Sequence, residues 1–183
     1  MTPSLVVLDR DGVINRDSDD FVKSAAEWIP IEGSIEAIAR LKREGFQVAV
    51  VTNQSGLARG YFDEFDLAAM HYKFLGLLEE AGADPVDLIL YCPHGPDDGC
   101  DCRKPKAGLL HELQAQLGLS NLHGVWMIGD SLRDLQAGQA CGMQPVLVKT
   151  GKGEKTSASA LPEGSLVFDD LSAAVCQLLQ NAS

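Results

Sequence analysis

Two aspartates separated by one residue, Asp9 and Asp11, follow the apolar run Leu5-Val6-Val7-Leu8 and precede a glycine. In an extended segment, residues i and i+2 project to the same side, so both carboxylates can face one point beyond the strand. Two carboxylates this close repel each other unless a cation lies between them or the chemistry assigns them different tasks. The pair therefore predicts a reaction centre.

A second group of reactive side chains is confined to residues 92–102, where the spacing is C-x-H-x5-C-x-C. Three thiolates and one imidazole form a complete tetrahedral set for zinc, supplied by Cys92, His94, Cys100 and Cys102. Prolines and glycines between them allow so short a segment to fold back on itself. With four protein ligands no position stays open for substrate, so we expect structural zinc in this loop.

The composition is that of an ordinary globular protein, and we expect residues 1–183 to form a single domain. A net charge of −11 excludes nucleic acid and anionic membranes as expected partners, since both require a basic face. The chain has no apolar run of membrane-spanning length, and its start does not resemble a signal peptide. We therefore expect a cytoplasmic protein, and we expect a monomer.

Strand-like apolar runs alternate with amphipathic segments of helix length, which predicts a doubly wound α/β fold with a mostly parallel sheet. The runs are Leu5-Leu8, Phe46-Val51, Leu88-Tyr91, Val125-Ile128, Val146-Val148 and Leu166-Phe168. The composition of Gly151 to Gly164 predicts a mobile loop before the last strand and a final helix.

Polar residues collect directly after four of these runs, where sites form in parallel sheets. The four segments are Asp9 to Asp11, Thr52 to Gly56, Cys92 to Lys104, and Gly129-Asp130. We expect all four to converge on one crevice.

In order along the chain, Asp9-x-Asp11, Thr52-Asn53, Lys104 and Gly129-Asp130 with Asp134 resemble the four motifs of the haloacid dehalogenase superfamily of phosphatases and phosphotransferases. The resemblance covers about residues 5 to 150. It implies a Rossmann-like core, and the short segments after the first two strands predict that no large cap domain is present.

The resemblance and the chemistry of phosphate monoesters assign the same roles. Displacement at phosphorus requires an in-line nucleophile, shielding of the equatorial oxygens and a proton for the departing alkoxide. Asp9 is the expected nucleophile, which forms an aspartyl-phosphate, and Asp11 is the expected general acid and base.

The remaining members of the site would balance charge. Asp9, the main-chain carbonyl of Asp11, and Asp130 would bind Mg²⁺, which prefers oxygen ligands. Thr52 would hold phosphoryl oxygens, and Lys104 would neutralise the charge that develops. Asp134 either caps the helix that begins near Ser131 or supports the metal from behind.

Within the superfamily, the cysteine loop that leads into Cys-Arg-Lys-Pro, with Leu-Asp-Arg-Asp-Gly-Val-Ile-Asn at the start, is similar to the D-glycero-D-manno-heptose 1,7-bisphosphate 7-phosphatase family. That similarity implies removal of the C7 phosphate in the supply of heptose for surface polysaccharide. It also implies substrate contacts at Asp17, Ser18, Asp19, Asp20, Asn53, Gln54, Ser55, Arg103 and Lys104. We expect the zinc to stiffen the loop that positions Arg103 and Lys104.

The chain departs from that family at two places. Some members carry Lys directly after the metal-binding Asp, where this chain has Ser131, and the gap from His94 to Cys100 is short. Neither departure falls on the catalytic set.

Three other functions remain open. Histidinol-phosphate phosphatases share the same zinc loop, so the substrate could be histidinol phosphate. A receiver-like phospho-acceptor also uses a strand-end Asp, Thr and Lys, but it needs no proton donor two residues later and places its Asp after a central strand. A zinc-stabilised binding module with a dead site would not need the intact set of Asp9, Asp11, Thr52, Lys104 and Asp130.

Overall fold

The computed structural model describes residues 4–183, and its centre is one sheet of six strands that all run parallel. Their spatial order is β3-β2-β1-β4-β5-β6, so β1 is an interior strand. The strands are β1 (Leu5–Leu8), β2 (Gln47–Asn53), β3 (Leu88–Cys92), β4 (Trp126–Gly129), β5 (Gln144–Val148) and β6 (Leu166–Phe168). The predicted α/β class and the six strand positions are confirmed.

Helices cover both faces of the sheet, which explains why its strands are almost entirely apolar. The helices are α1 (Ser34–Arg43), α2 (Glu64–Glu80), α3 (Gly108–Gln116), α4 (Leu132–Ala140), α5 (Gly153–Ser157) and α6 (Leu171–Ala182). Successive side chains of a strand alternate between faces. Val6 and Leu8 accordingly belong to the core beneath α1, α2 and α6, whereas Leu5 and Val7 pack toward α3 and α4.

The segment from residue 151 to residue 164, predicted as a mobile loop, contains α5, so that prediction was wrong for its first half. Two hydrogen bonds hold this segment to the end of β4. The Lys152 N–H donates to Asp130 Oδ2 over 2.9 Å, and Thr156 Oγ1 donates to the Asp130 carbonyl over 2.9 Å. These contacts join residues more than twenty positions apart, so the local composition could not indicate them.

The order of the strands creates a crevice at the carboxyl end of β1. From β1 the chain builds β2 and β3 on one side, then crosses back to build β4, β5 and β6 on the other. Ligands of doubly wound sheets bind where the winding reverses. The segments 9–33 and 54–63, which lead from β1 and β2 into the next helix, hold no helix or strand of their own, so residues 4–183 include no large cap domain.

Among the helices in residues 4–183, none combines the length and the apolar character that a membrane span requires.

Candidate active site

Three carboxylates meet at the ends of β1 and β4. Asp9 follows β1, Asp130 follows β4, and Asp134 lies in the first turn of α4. One oxygen from each lies within 4.8 Å of the others, and the three residues are 9%, 3% and 1% exposed. The expected convergence of strand ends is therefore present, but Asp134 is part of this cluster as well as of the helix start.

Lys104 is the buried cation that faces this cluster. Its Nζ lies 3.0 Å from Asp9 Oδ1 and 2.7 Å from Asp134 Oδ1, and it donates to the Val51 carbonyl over 2.6 Å. Burial alone would lower the pKa of Lys104, but Asp134 and Asp9 raise it above its usual value. The ammonium is therefore fixed and charged beside Asp9.

The side chain of Asn53 holds Lys104 by its backbone. Asn53 Oδ1 accepts from the Lys104 N–H over 3.0 Å, and Asn53 Nδ2 donates to the Lys104 carbonyl over 3.1 Å. The sequence had suggested Asn53 as a substrate contact. Its amide group is used to join the loop after β3 to the end of β2.

Asp134 caps α4, which was one of the two roles that the sequence left open, and it also pairs with Lys104. Its Oδ2 accepts from the N–H and the hydroxyl of Ser131 over 3.2 and 3.0 Å, which completes the predicted capping box of α4. Its Oδ1 is paired with Lys104. Both oxygens are thus engaged with protein groups, whereas Asp9 and Asp130 are less fully compensated.

Asp11 is surrounded by donors. Its Oδ1 accepts from Arg10 Nη2 over 2.9 Å and from Asn15 Nδ2 over 2.8 Å, and its Oδ2 accepts from Gln54 Nε2 over 2.8 Å. Burial alone would raise the pKa of Asp11, but the Arg10 guanidinium and these hydrogen bonds lower it overall. Asp9 and Asp11 therefore have different environments, since carboxylates surround Asp9 and hydrogen-bond donors surround Asp11.

The residues of the cluster fit a divalent cation. Burial, and then the charge of Asp134, raise the pKa of Asp9 to about 7. Burial, and then the charge of Asp9, raise the pKa of Asp130 to about 8. Burial and the neighbouring carboxylates both disfavour the ionised forms of Asp9 and Asp130, and a bound cation would offset both effects. Oxygen ligands of this kind are those that Mg²⁺ prefers.

A cavity of about 190 Å³ opens above the carboxylates. Most of the sequence-predicted contacts line it, namely Asp9, Asp11, Asp17, Ser18, Asp19, Asn53, Gln54, Ser55, Arg103, Lys104 and Asp130. Thr52 and Asp20 are not in its lining. Thr52 is only 1% exposed, and its hydroxyl accepts from Gln54 Nε2 over 3.0 Å. Asp20 is exposed on the loop after β1.

The cavity also has basic residues that sequence reasoning missed. Arg133 and Lys152 line it together with Arg103. Burial, and then the nearby charges of Arg133 and Arg59, lower the pKa of Arg103. Within residues 4–183, neither Arg103, Arg133 nor Arg59 forms an ion pair with a carboxylate. The sequence did contain one signal that could have identified Arg133, which is its position in the first helical turn after Asp130.

The cysteine loop brings its four predicted ligands together. Their ligand atoms lie within 4.8 Å of one another. Cys92 Sγ is 3.0 Å from Cys102 Sγ and 3.7 Å from Cys100 Sγ, and His94 Nδ1 is 3.3 Å from Cys102 Sγ. A tetrahedral zinc with thiolate ligands has ligand-to-ligand edges of about 3.7 Å, so the arrangement fits that ion. All five cysteines are free.

Comparisons with known proteins identify relatives of this chain. The family model described as "HAD-hyrolase-like" matches residues 101–174. A protein of Pseudomonas aeruginosa called D-glycero-beta-D-manno-heptose-1,7-bisphosphate 7-phosphatase is 59% identical over 98% of this chain and 100% of that relative.

Solved structures give the same result. The D,D-heptose 1,7-bisphosphate phosphatase of B. bronchiseptica, complexed with magnesium and phosphate, superposes with a TM-score of 0.94 at 53% identity, over 97% of this chain and 98% of that one. The corresponding enzyme of Burkholderia thailandensis gives a TM-score of 0.73 at 42% identity, over 96% and 97% of the two chains.

Proposed function

The chain belongs to the heptose-1,7-bisphosphate 7-phosphatase family of haloacid dehalogenase-like hydrolases, and from this premise we propose that it removes the C7 phosphate of D-glycero-β-D-manno-heptose 1,7-bisphosphate. The observation that carries the proposal is that Asp9 and Asp11 line one cavity, with the Lys104 ammonium and the Asp130 carboxylate beside Asp9. The β anomer is chosen because the relatives' names specify it.

In the first step, an oxygen of the Asp9 carboxylate attacks phosphorus and forms an Asp9–O–P bond. The bond from phosphorus to the C7 oxygen breaks, and its electron pair leaves with that oxygen. The anionic phosphate that enters beside Asp11 raises the pKa of that carboxyl group, so Asp11 takes up a proton when substrate binds and donates it to the alkoxide. Heptose 1-phosphate departs with a neutral alcohol at C7. The fixed ammonium of Lys104, 3.0 Å from Asp9, offsets the charge that collects on the phosphoryl oxygens.

In the second step, water attacks the same phosphorus while Asp11 takes its proton. The bond between phosphorus and the Asp9 oxygen breaks, and its electrons return to the carboxylate. Inorganic phosphate leaves, and both aspartates regain their starting state. The net reaction consumes one ester and one water and yields one alcohol and one phosphate.

The members of the cluster that would hold Mg²⁺ are Asp9, Asp130 and the main-chain carbonyl of Asp11. When bound, the ion would shield the phosphoryl oxygens from the surrounding carboxylates and so allow a dianion to enter. Asp134 would keep Lys104 and the start of α4 in place, since both of its oxygens already have protein partners.

Recognition of the second phosphate would fall to the arginines of the cavity. Arg103 and Arg133 lie on the lining without carboxylate partners among residues 4–183, so an anion can compensate both. Because Thr52 is buried beneath Gln54, its side chain would act on the phosphoryl group through the segment 52–55 that it supports.

The zinc expected in residues 92–102 would have a structural part. Arg103 and Lys104 follow Cys102 directly, and Lys104 is the group that must reach Asp9. Four ligands within one short loop would hold that loop rigid when the ion is bound.

Steady-state kinetics on three substrates tests the proposal, with Mg²⁺ present throughout. We expect the highest kcat/KM on the β-heptose 1,7-bisphosphate, a lower value on the α anomer and the lowest on histidinol phosphate. Faster turnover of histidinol phosphate would assign the chain to that activity instead. A matched pair of variants, Arg133→Ala and Arg59→Ala, identifies the anion site, since only the first should raise KM for the bisphosphate.

A further inference from the structure

One buried charged group is not used by the reaction described above. Arg10 stands between the two catalytic aspartates in the sequence, is 1% exposed and does not line the cavity. An arginine is almost never buried completely unless it is paired. The groups that contact Arg10 therefore indicate its role.

The guanidinium of Arg10 is directed at Asp11. Its Nη2 and Nε both lie near Asp11 Oδ1, at 2.9 and 3.3 Å. Its Nη1 lies 3.2 Å from Nε2 of His71, on α2. A guanidinium can only donate, so Nε2 must accept, which requires a neutral imidazole. Burial, and then the charge of Arg10, lower the pKa of His71 to about 4, in agreement with that state.

Two neutral amides complete the surroundings of Asp11. Asn15 donates to Oδ1, and Gln54, which also bonds Thr52, donates to Oδ2. Arg10 is therefore the charged member of a set that reaches both oxygens of the carboxylate. Both guanidinium nitrogens contact the same oxygen, Oδ1, and Gln54 holds Oδ2, so Arg10 and Gln54 together restrict the rotation of the Asp11 carboxylate.

From this geometry we propose that Arg10, held by neutral His71, is a positioning residue that fixes Asp11 in the orientation needed for proton transfer to and from the C7 oxygen and water. The inference rests on the proposed function, because it assigns Arg10 a task within that reaction.

The proposal predicts a dependence on the leaving group. An alkoxide needs a proton to depart, whereas p-nitrophenolate departs without one. Loss of the correct Asp11 orientation should therefore slow phosphoryl transfer from an alkyl ester and spare it from p-nitrophenyl phosphate. Hydrolysis of the aspartyl-phosphate should slow for both esters, since Asp11 also activates water.

The experiment compares Arg10→Lys with the wild type in rapid-mixing kinetics on heptose 1,7-bisphosphate, fructose 1,6-bisphosphate and p-nitrophenyl phosphate, with Mg²⁺ present. We expect kcat on the alkyl esters to fall about 100-fold, as displacement of a catalytic group by roughly 1 Å can cause. We expect the first-turnover release of p-nitrophenol to fall less than about tenfold and to be followed by a slow steady state. Equal loss on all three esters, or no loss on any, would overturn the proposal.

A second variant covers the case in which Arg10→Lys does not fold, which thermal unfolding would reveal. His71→Phe removes the acceptor behind Arg10, and Tyr72→Phe, at a side chain that is 81% exposed on the same helix, is its matched control. We expect the same selective loss in His71→Phe, at about tenfold, and wild-type kinetics in the control. Equal loss on alkyl and aryl esters in His71→Phe would also overturn the proposal.

The two proposals fail in different ways. Wild-type protein that hydrolyses fructose 1,6-bisphosphate and not the heptose ester would contradict the proposed substrate. The leaving-group comparison would still decide the part played by Arg10 on the second alkyl ester.

Discussion

The carboxylate cluster and the cysteine cluster achieve rigidity in different ways. Asp9 and Asp130 come from strand ends that are far apart in sequence, and the sheet sets their separation. The cysteine cluster lies within eleven consecutive residues, of which only Cys92 belongs to a strand, as the last residue of β3. The fold therefore holds the first cluster, whereas the zinc proposed above would hold the residues of the second that lie outside β3.

The largest effect on activity should come from a substitution in the carboxylate cluster. Asp9→Asn leaves the sheet intact but removes the nucleophile, so we expect kcat on the heptose bisphosphate to fall by more than about 10³-fold. Thermal unfolding should confirm that the variant is folded. Turnover within about tenfold of the wild type would mean that another group attacks phosphorus.

A smaller loss of activity is expected when the binding of Mg²⁺ is weakened and the nucleophile is retained. Asp130→Asn removes one charged ligand, and we expect activity at low Mg²⁺ to fall about 100-fold and to recover partly as the Mg²⁺ concentration rises. Titration of activity against Mg²⁺ measures the change. The control is Asp169→Asn, at a side chain that is 89% exposed, which should leave the titration unchanged.

The cysteine cluster should depend on zinc and not on Mg²⁺. Cys102→Ser removes one zinc ligand, so the segment that carries Arg103 and Lys104 should lose its order. We expect bound zinc to be lost and activity to fall about tenfold or more, with no recovery on addition of Mg²⁺. Cys176→Ser, at an exposed thiol outside the cluster, is the matched control. Full activity in zinc-free Cys102→Ser would show that the loop is rigid without its ion.

The difference between the clusters also determines how much the sequence could predict. The grouping of Cys92, His94, Cys100 and Cys102 was predictable because these residues are close in sequence and their types and spacing suffice. Asp9 and Asp130 were predictable because each follows an apolar strand run. The sequence did not predict that Asp134 pairs with Lys104, or that Asn53 and Gln54 support Lys104 and Asp11. These contacts depend on side-chain packing between distant segments.

Two further points depended on the arrangement of the strands. The argument against a receiver relied partly on Asp9 following the first strand, but β1 is an interior strand, so of the two sequence arguments only the proton donor Asp11 still separates the two functions. The helix α5 was missed because its anchor, Asp130, lies beyond the reach of local patterns.

A pH effect should mark the excess negative charge of the carboxylate cluster. In metal-free protein, the raised pKa values of Asp9 and Asp130, about 7 and about 8, mean that the folded state holds protons that the unfolded state has released. The free energy of unfolding should therefore fall as the pH rises from about 4 to about 8. His71, whose pKa is lowered to about 4, opposes this trend below pH 6.5, so the fall is clearest above that value.

Urea unfolding of magnesium-free protein that retains its zinc, between pH 6.5 and pH 8, measures that slope as the difference between the wild type and Asp130→Asn. The difference removes the opposite slope of the zinc loop, whose cysteines take up protons when unfolding releases the ion. Relative to Asp130→Asn, the free energy of unfolding of the wild type should fall as the pH rises, and Mg²⁺ should reduce that fall because the cation replaces the protons. A wild-type stability that rises relative to Asp130→Asn over this range would contradict the account of the cluster.

The smallest effect should come from the contact between Asp130 and the segment before α5. A Cβ added at Gly151 would lie 2.3 Å from Asp130 Oδ2 and 2.5 Å from the Gly12 Cα, and its φ is +57°. We expect Gly151→Ala to reduce stability by about 2 kcal/mol or more and to weaken Mg²⁺ binding. Gly45→Ala, with φ +82° and no atom within 4 Å, should cost only about 1 kcal/mol. Equal losses in the two variants would mean that the crowding at Asp130 relaxes easily.

The identity of the phosphorylated residue tests the central claim most directly. Asp11→Asn retains the nucleophile but lacks the group that activates water, so p-nitrophenyl phosphate should leave it phosphorylated. Acid quenching, reduction of the acyl-phosphate with borohydride and peptide mass spectrometry should identify the modification at Asp9. A modification at any other residue, or p-nitrophenol release in a first turnover with no phosphorylated protein, would contradict the account.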